Sequence, residues 1–377
     1  MNSISCEVLE FDKQLFDTVR SVNILSAVNP VNFQAQKQAF FDSHFSTQPD
    51  FSYLARTVDV FATKRQLFTL PLEAVIDEDL HKIYFDTINS YVDKVDQFNS
   101  IGTPDFMYDS LRYFGEPTAK DISNARFILH LPGNVNEENE TLLSLDQIVN
   151  VLSEFASNNN LQHTMKVEDN MVANAIAAGT TIKVNKNAQL SLSNTSALAH
   201  HEIGVHLVTT LNARAQPLRI LEVGNPLNTM TQEGLAILSE YLSDNLTINR
   251  LKILALRVVA VASMIKERSF RRTFSLLKEE YGAADELAFS VCARIYRGGG
   301  FVKDYLYLQG FHTMLHAYEN EPNFNLLFTG KASINYLPHI SRLVEKGILN
   351  EPEHISPIFK QPNELNEIKQ FIAHAIK

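Results

Sequence analysis

The sequence predicts a predominantly helical α+β protein with a small sheet and a helical N-terminal part. Three observations carry that expectation. Apolar residues recur at spacings of three and four over most of the 377 positions, the signature of amphipathic helices. Short β-prone segments occur only between residues 126 and 184. No apolar run approaches the roughly 20 residues that cross a bilayer.

The first 120 or so residues read as helical. The clearest stretch is 78–98, where Leu80, Ile83, Tyr84, Ile88, Tyr91, Val92, Val95 and Phe98 mark one apolar face. Gly102 and Pro104 end it. Arg126–Leu131 (RFILHL) reads as a short strand and Pro132–Thr141 as a polar, acidic loop. Leu143–Phe155 is helix-like again. Thr164–Val167 and Thr180–Val184 are strand candidates. In the second, Ile182 and Val184 face one way, Lys183 and Asn185 the other. From Ser193 the pattern is helical, over about 195–211, 229–244, 247–266, 283–297, 303–319 and 363–376. There is no internal repeat and no long Gly/Ser or Pro-rich linker. We therefore expect a helical region over 1–125 and a second region over 126–377, in one compact unit.

Charge narrows the partners. The 33 basic and 43 acidic residues give a net charge of −10, which repels phosphate backbones and argues against nucleic acid. Cys6 and Cys292 cannot build a four-cysteine zinc site and read as buried, reduced thiols. No basic stretch followed by an apolar one opens the sequence, and Asn2 excludes myristoylation. Cytoplasmic placement, away from membranes, is the expectation.

The chemistry concentrates in Ala197–Leu211, ALAHHEIGVHLVTTL. Within it His201, Glu202 and His206 form H-E-x-x-x-H. The zinc-peptidase pattern is H-E-x-x-H, whose histidines share a helix face. Five residues on an ideal helix are about 500°, leaving the two rings roughly 140° apart. They could not both hold one ion unless a turn were widened, and such π-bulges occur often at functional sites. A widened turn is expected at about 202–206, with Gly204 inside it. Glu233, in Thr231-Gln232-Glu233-Gly234-Leu235-Ala236, opens the next helix. Alone it reads as an acid favoured by the helix dipole. With the histidines it completes a two-His, one-Glu set with one open position.

HEIGVH, Asn212 with Gln216-Pro217, TQEGLA and Glu240-Tyr241-Leu242, in that order, resemble the QEGLA-motif proteins. Bacterial members are named as modulators of flavohaemoglobin expression, and the family includes the microtubule-associated tyrosine carboxypeptidases. The segment from Arg297 through Lys303, Asp304 and Tyr307 to Gly310 is also similar to a family segment.

The resemblance implies a zincin-like, gluzincin-type core and a zinc metallopeptidase, with one Zn2+ held by His201, His206 and Glu233. Glu202 is the implied general base. It also implies a strand beside the active-site helix for an extended peptide, and Thr180–Val184 is the candidate. A carboxypeptidase needs a cation for the substrate's carboxylate, a task that suits arginine's fork. Arg297, Lys303, Tyr307 and Lys183 are the candidate substrate contacts. Tyr296, Tyr305, Tyr307 and Arg297 are candidate donors to developing oxyanion charge. The expected partner is a peptide or protein C-terminus, ending in Tyr or another aromatic residue; tubulin is not expected, since the acidic chain has no basic extension. The rival is a non-catalytic regulatory or binding protein on a peptidase scaffold. His312 and His316, four apart, lack a matching carboxylate motif and read as ordinary histidines. His200 reads as a neighbour of the motif, Gly298–Gly300 as a flexible turn, and Gln232 as a residue positioning its helix.

Overall fold

The computed structural model describes residues 4–55, 58–133, 141–169, 171 and 173–377. Seven helices come first: α1 (Cys6–Val19), α2 (Phe33–Asp42), α3 (Val60–Thr69), α4 (Glu78–Ser100), α5 (Phe106–Phe114), α6 (Ala119–Leu129) and α7 (Leu145–Asn158). Three strands follow, β1 (Thr164–Glu168), β2 (Ala175–Ala178) and β3 (Thr181–Asn185). A composite helix, α8, joins Leu192–Leu198, a differently wound stretch at Ala199–Leu207, and Val208–Ala215. Then come α9 (Asn228–Leu242), α10 (Ile248–Glu267), α11 (Phe270–Glu279), α12 (Asp285–Tyr296), α13 (Leu306–Asn320), α14 (Leu337–Glu345) and α15 (Glu367–Ala375), with short helical turns between.

Most limits follow from local signals. Asp77 caps α4 by accepting from the Asp79 and Leu80 amides, as N-cap carboxylates do. Cys6, expected to be buried, is exposed at the start of α1, and the first four residues of RFILHL are the end of a helix, not a strand. Thr118 and Asp121 form a capping box that starts α6 upstream. Asp121, Ala125 and Ile128 then fall at helical spacing and are buried. Helix continuity and burial override the strand preference of Phe, Ile and Leu. The expected division between residues 125 and 126 lies inside this helix, and one hydrophobic core runs from Val8 to Ile376. The acidic loop expected over Pro132–Thr141 lies, but for its ends, outside the described residues.

The sheet order is β1-β3-β2, with β1 parallel and β2 antiparallel to β3. The central position of β3 corrects the expectation that an extended peptide would pair with Thr180–Val184: both its edges are occupied. The strand edge beside α8 belongs to β2, whose uniformly apolar residues, Ala-Ile-Ala-Ala, gave the sequence no alternation to read.

Two glycines set how closely α9 meets α13. A Cβ on Gly234 would strike the Gly310 carbonyl and lie 2.7 Å from Met314 Cγ. A Cβ on Gly310 would strike the Met230 carbonyl. The backbones touch where Glu233 is carried. Overfilling a close-packed contact costs about 1–3 kcal/mol. Gly310→Ala should therefore destabilise the fold by at least that order in urea denaturation.

Candidate metal centre

Ala199–Leu207 is wound as π-helix. Its hydrogen bonds reach back five residues, as from the Val208 amide to the Ile203 carbonyl. This is the widened turn that the H-E-x-x-x-H spacing requires, and it spans 202–206. Residues five apart return to nearly one face in such winding, and the His201 and His206 rings lie 5.2 Å apart. Gly204 matters here for packing: a Cβ would sit 3.2 Å from Ser356 Oγ. Segment 350–356 lies along this helix, held from α8. Asn212 donates to the His354 carbonyl at 2.7 Å and accepts from its amide at 2.8 Å. Gln216 does the same with Asn350, at 2.9 and 2.8 Å.

Glu233 Oε2 lies 3.6 Å from His201 Nε2 and 3.7 Å from His206 Nε2. Donors about 2.0–2.1 Å from a tetrahedral zinc ion stand roughly 3.3–3.4 Å from one another. Two imidazole nitrogens and a carboxylate oxygen at these separations fit such an ion in number, chemistry and spacing. His201, Glu202 and His206 also bring their candidate ligand atoms within 4.8 Å of one another. Glu202 is buried, with Oε1 3.9 Å from His201 Nε2. Its Oε2 accepts the Ala177 amide of β2 at 2.8 Å. On the far side of its ring, His201 Nδ1 donates to Glu240 at 2.7 Å. Arg250 in turn grips Glu240 with two bonds of 3.0 Å.

A buried cationic cluster adjoins Glu233. Lys303 Nζ donates to Tyr307 Oη at 3.0 Å and stands 3.5 Å from Glu233 Oε1 and from Asp304 Oδ1. Arg294 bonds Asp304 at 2.6 Å, and Arg257 approaches it at 4.0 Å. Burial opposes ionisation of Glu233, but Lys303 and the two histidines overcome it and hold the carboxyl well below its usual range. Burial and the nearby Arg294 charge push both Arg257 and Arg297 down to about 10. Neither Nε has an acceptor. Four cations thus surround two carboxylates, an arrangement suited to a further anion.

The fold brings His201, Glu202, His206, Glu233, Lys303 and Tyr307 together, with Arg297 in the adjoining cluster. Lys183 is not brought in: its ammonium pairs with Glu168 of β1 at 3.3 Å on a half-exposed face. Tyr296 bonds Thr273 and Tyr305 donates to the Phe114 carbonyl, so of the tyrosine candidates Tyr307 is the one beside the cluster. The Gly298–Gly300 turn is packed, not loose. All three glycines have φ between 75° and 133°, and a Cβ on each would strike Phe106, the Thr103 carbonyl or Met107. His200 stacks edge-on against Phe155, and burial pushes its imidazole down to about 4. Gln232 ties α9 to α8 by accepting from Thr209 at 2.9 Å. Glu240 and Arg250 were not singled out for a role from sequence; their spacing from the histidines carries no motif signal.

Residues 38–377 match the family model described as microtubule-associated tyrosine carboxypeptidase. The chain belongs to that family, which bears out this part of the resemblance. No curated protein sequence matches it. Among solved structures, a chain described as a lipoprotein from Colwellia psychrerythraea is similar at a TM-score of 0.46 and 14% identity, covering 77% of this chain. The match spans 66% of that chain's length.

The carboxylates also set a proton equilibrium. Burial works against protonation of His201, but its bonds to Glu233 and Glu240 and the charge of Glu202 overcome it and hold it up at about 9. A folded value above the ordinary ~6.5 stabilises the fold fully below about pH 6.5, and that contribution is lost as pH rises through about 9. Chelator-treated protein should accordingly melt at a lower temperature near pH 9.5 than near pH 6.5, with a flatter profile for Glu240→Gln, by scanning calorimetry.

Proposed function

From this family membership we propose that the protein is a zinc-dependent carboxypeptidase with a zincin-like catalytic core. The observation that carries the reading is the convergence of His201, His206 and Glu233 on one point, made possible by the π-wound turn. His201 Nε2, His206 Nε2 and Glu233 would hold the ion. When bound, zinc supplies Lewis-acid polarisation and lowers the pKa of a water towards ~7.

The chain's own groups do the rest. Glu202 is the general base. The Ala177 amide occupies its Oε2 and leaves Oε1 to take a proton from water and return it to the leaving amine. The extended substrate lies along the free edge of β2, whose backbone already meets Glu202. Lys303 pairs with the substrate's terminal carboxylate, supported by Arg297 and the surplus positive charge around Asp304. Tyr307 donates to developing oxyanion charge. A terminal Tyr or another aromatic residue is the substrate end that the family membership favours. The acidic chain favours a substrate other than a microtubule. Residues 126–377 supply every proposed catalytic group, and the helices before them brace the Arg297–Lys303 turn. Among the described residues no helix is long and apolar enough to cross a membrane.

Metal analysis and kinetics test this together. His201→Ala and Glu233→Ala should abolish stoichiometric zinc, and zinc retained by both variants would end the assignment. Glu202→Gln should keep zinc and lose activity on peptides by about 10²–10⁴-fold, the usual range for a general base. A protein active only as a binding scaffold would cleave nothing before the substitution either.

The carboxylate contact has its own readout. A charged hydrogen bond contributes about 1.5–3 kcal/mol, so Lys303→Met should raise KM roughly tenfold to a hundredfold for peptides with a free C-terminus. Amidated peptides should be poor substrates for the parent protein and little changed by the substitution.

A further inference from the structure

We infer that Glu240 and Arg250 form a positioning pair for His201, setting the ring's tautomer and aim without touching metal or substrate. The inference rests on the metal reading above and concerns residues outside the H-E-x-x-x-H and QEGLA motifs.

Helix α9 meets both nitrogens of one imidazole. Glu233 and Glu240 are seven residues apart, which brings them within about 20° of one another on a regular helix. Glu233 reaches Nε2 at 3.6 Å, and Glu240 reaches Nδ1 at 2.7 Å. Glu240 is 1% exposed. A carboxylate at Nδ1 keeps a proton there, so the neutral ring that an ion requires carries its lone pair on Nε2, the nitrogen that faces Glu233. Such outer partners fix ring orientation and raise ligand basicity.

Glu240 is itself held. Arg250 of α10 spans both its oxygens at 3.0 Å, the fork geometry that keeps a carboxylate ionised and oriented. Asn245 and Leu246 both donate their amides to the Glu240 carbonyl at 2.9 Å, which fixes the backbone where α9 ends. The chain Arg250–Glu240–His201 therefore fixes the ring from α10 through α9 to α8. By contrast, among the described residues Glu233 is the one carboxylate within 4.0 Å of a His206 nitrogen.

The test is zinc affinity by chelator competition, together with the visible spectrum of the cobalt-substituted protein, which reports ligand geometry. Glu240→Ala should weaken zinc binding about 10–100-fold and shift the cobalt bands. Glu240→Gln keeps the shape and loses the charge, and should weaken binding about tenfold. Arg250→Met should move both readouts in the same direction by less. A merely structural role would lower the melting temperature and leave the cobalt bands in place. Parent-like affinity and spectrum in Glu240→Ala, or in Glu240→Gln should the alanine variant not fold, would overturn the inference. A parent protein that binds no zinc would overturn the metal reading, and this inference with it.

Discussion

A step of five positions from one histidine to the next is the constraint from which the rest of the site follows. An α-helix cannot put both rings on one side, so the backbone must be wound wider, and a wider turn has poorer packing of its own. It persists where its surroundings over-determine it. Here they do. Ile203, Val205 and Leu207 are fully buried. Segment 350–356 is bonded along the helix through Asn212 and Gln216. Ser356 fills the space that a side chain at Gly204 would need. Asn212 and Gln216 hold the turn's covering segment and do not point at the histidines.

The second constraint is charge. Glu202, Glu233, Glu240 and Asp304 are all largely buried, and isolated buried carboxylates are costly. Each has specific compensation: an amide for Glu202, two imidazoles and Lys303 for Glu233, the Arg250 fork for Glu240, and Arg294 for Asp304. The cations exceed the anions around Asp304. Buried ion pairs are weak evidence for stability, and a surplus of one sign makes a stability role weaker still. A surplus of positive charge beside three candidate ligands is better explained by an anionic partner.

What the sequence disclosed depended on whether the signal was local. The widened turn could be deduced, because the residue count between His201 and His206 contradicts an ideal helix. Helix limits were legible where caps stand close by, as at Asp77. RFILHL misled because its capping box lies before it. β2 was invisible because Ala-Ile-Ala-Ala carries no alternation of apolar and polar residues. Lys183 was named a substrate contact and its strand the one beside an extended peptide; strand order is a long-range property, and β2 takes the edge. Glu240 was quoted within a motif, but its bond to His201 links residues 39 positions apart and depends on how α9 crosses α8.

That crossing also explains why the N-terminal helices belong to the argument about chemistry. The turn carrying Arg297 and Lys303 is bonded from positions far earlier in the chain. Tyr53 accepts the Gly298 amide at 2.6 Å, Gly102 donates to the Gly298 carbonyl at 2.7 Å, and Ser110 accepts the Val302 amide at 3.1 Å. The three glycines of that turn lie against α5 and the residues just before it, too close for any side chain. Lys303 therefore reaches Glu233 from a base set by residues 53–110, while the Gly234–Gly310 contact sets where Glu233 stands. The separation of 3.5 Å between that ammonium and that carboxylate is fixed from both ends of the chain. A change in α5 could move the cation without touching any motif residue.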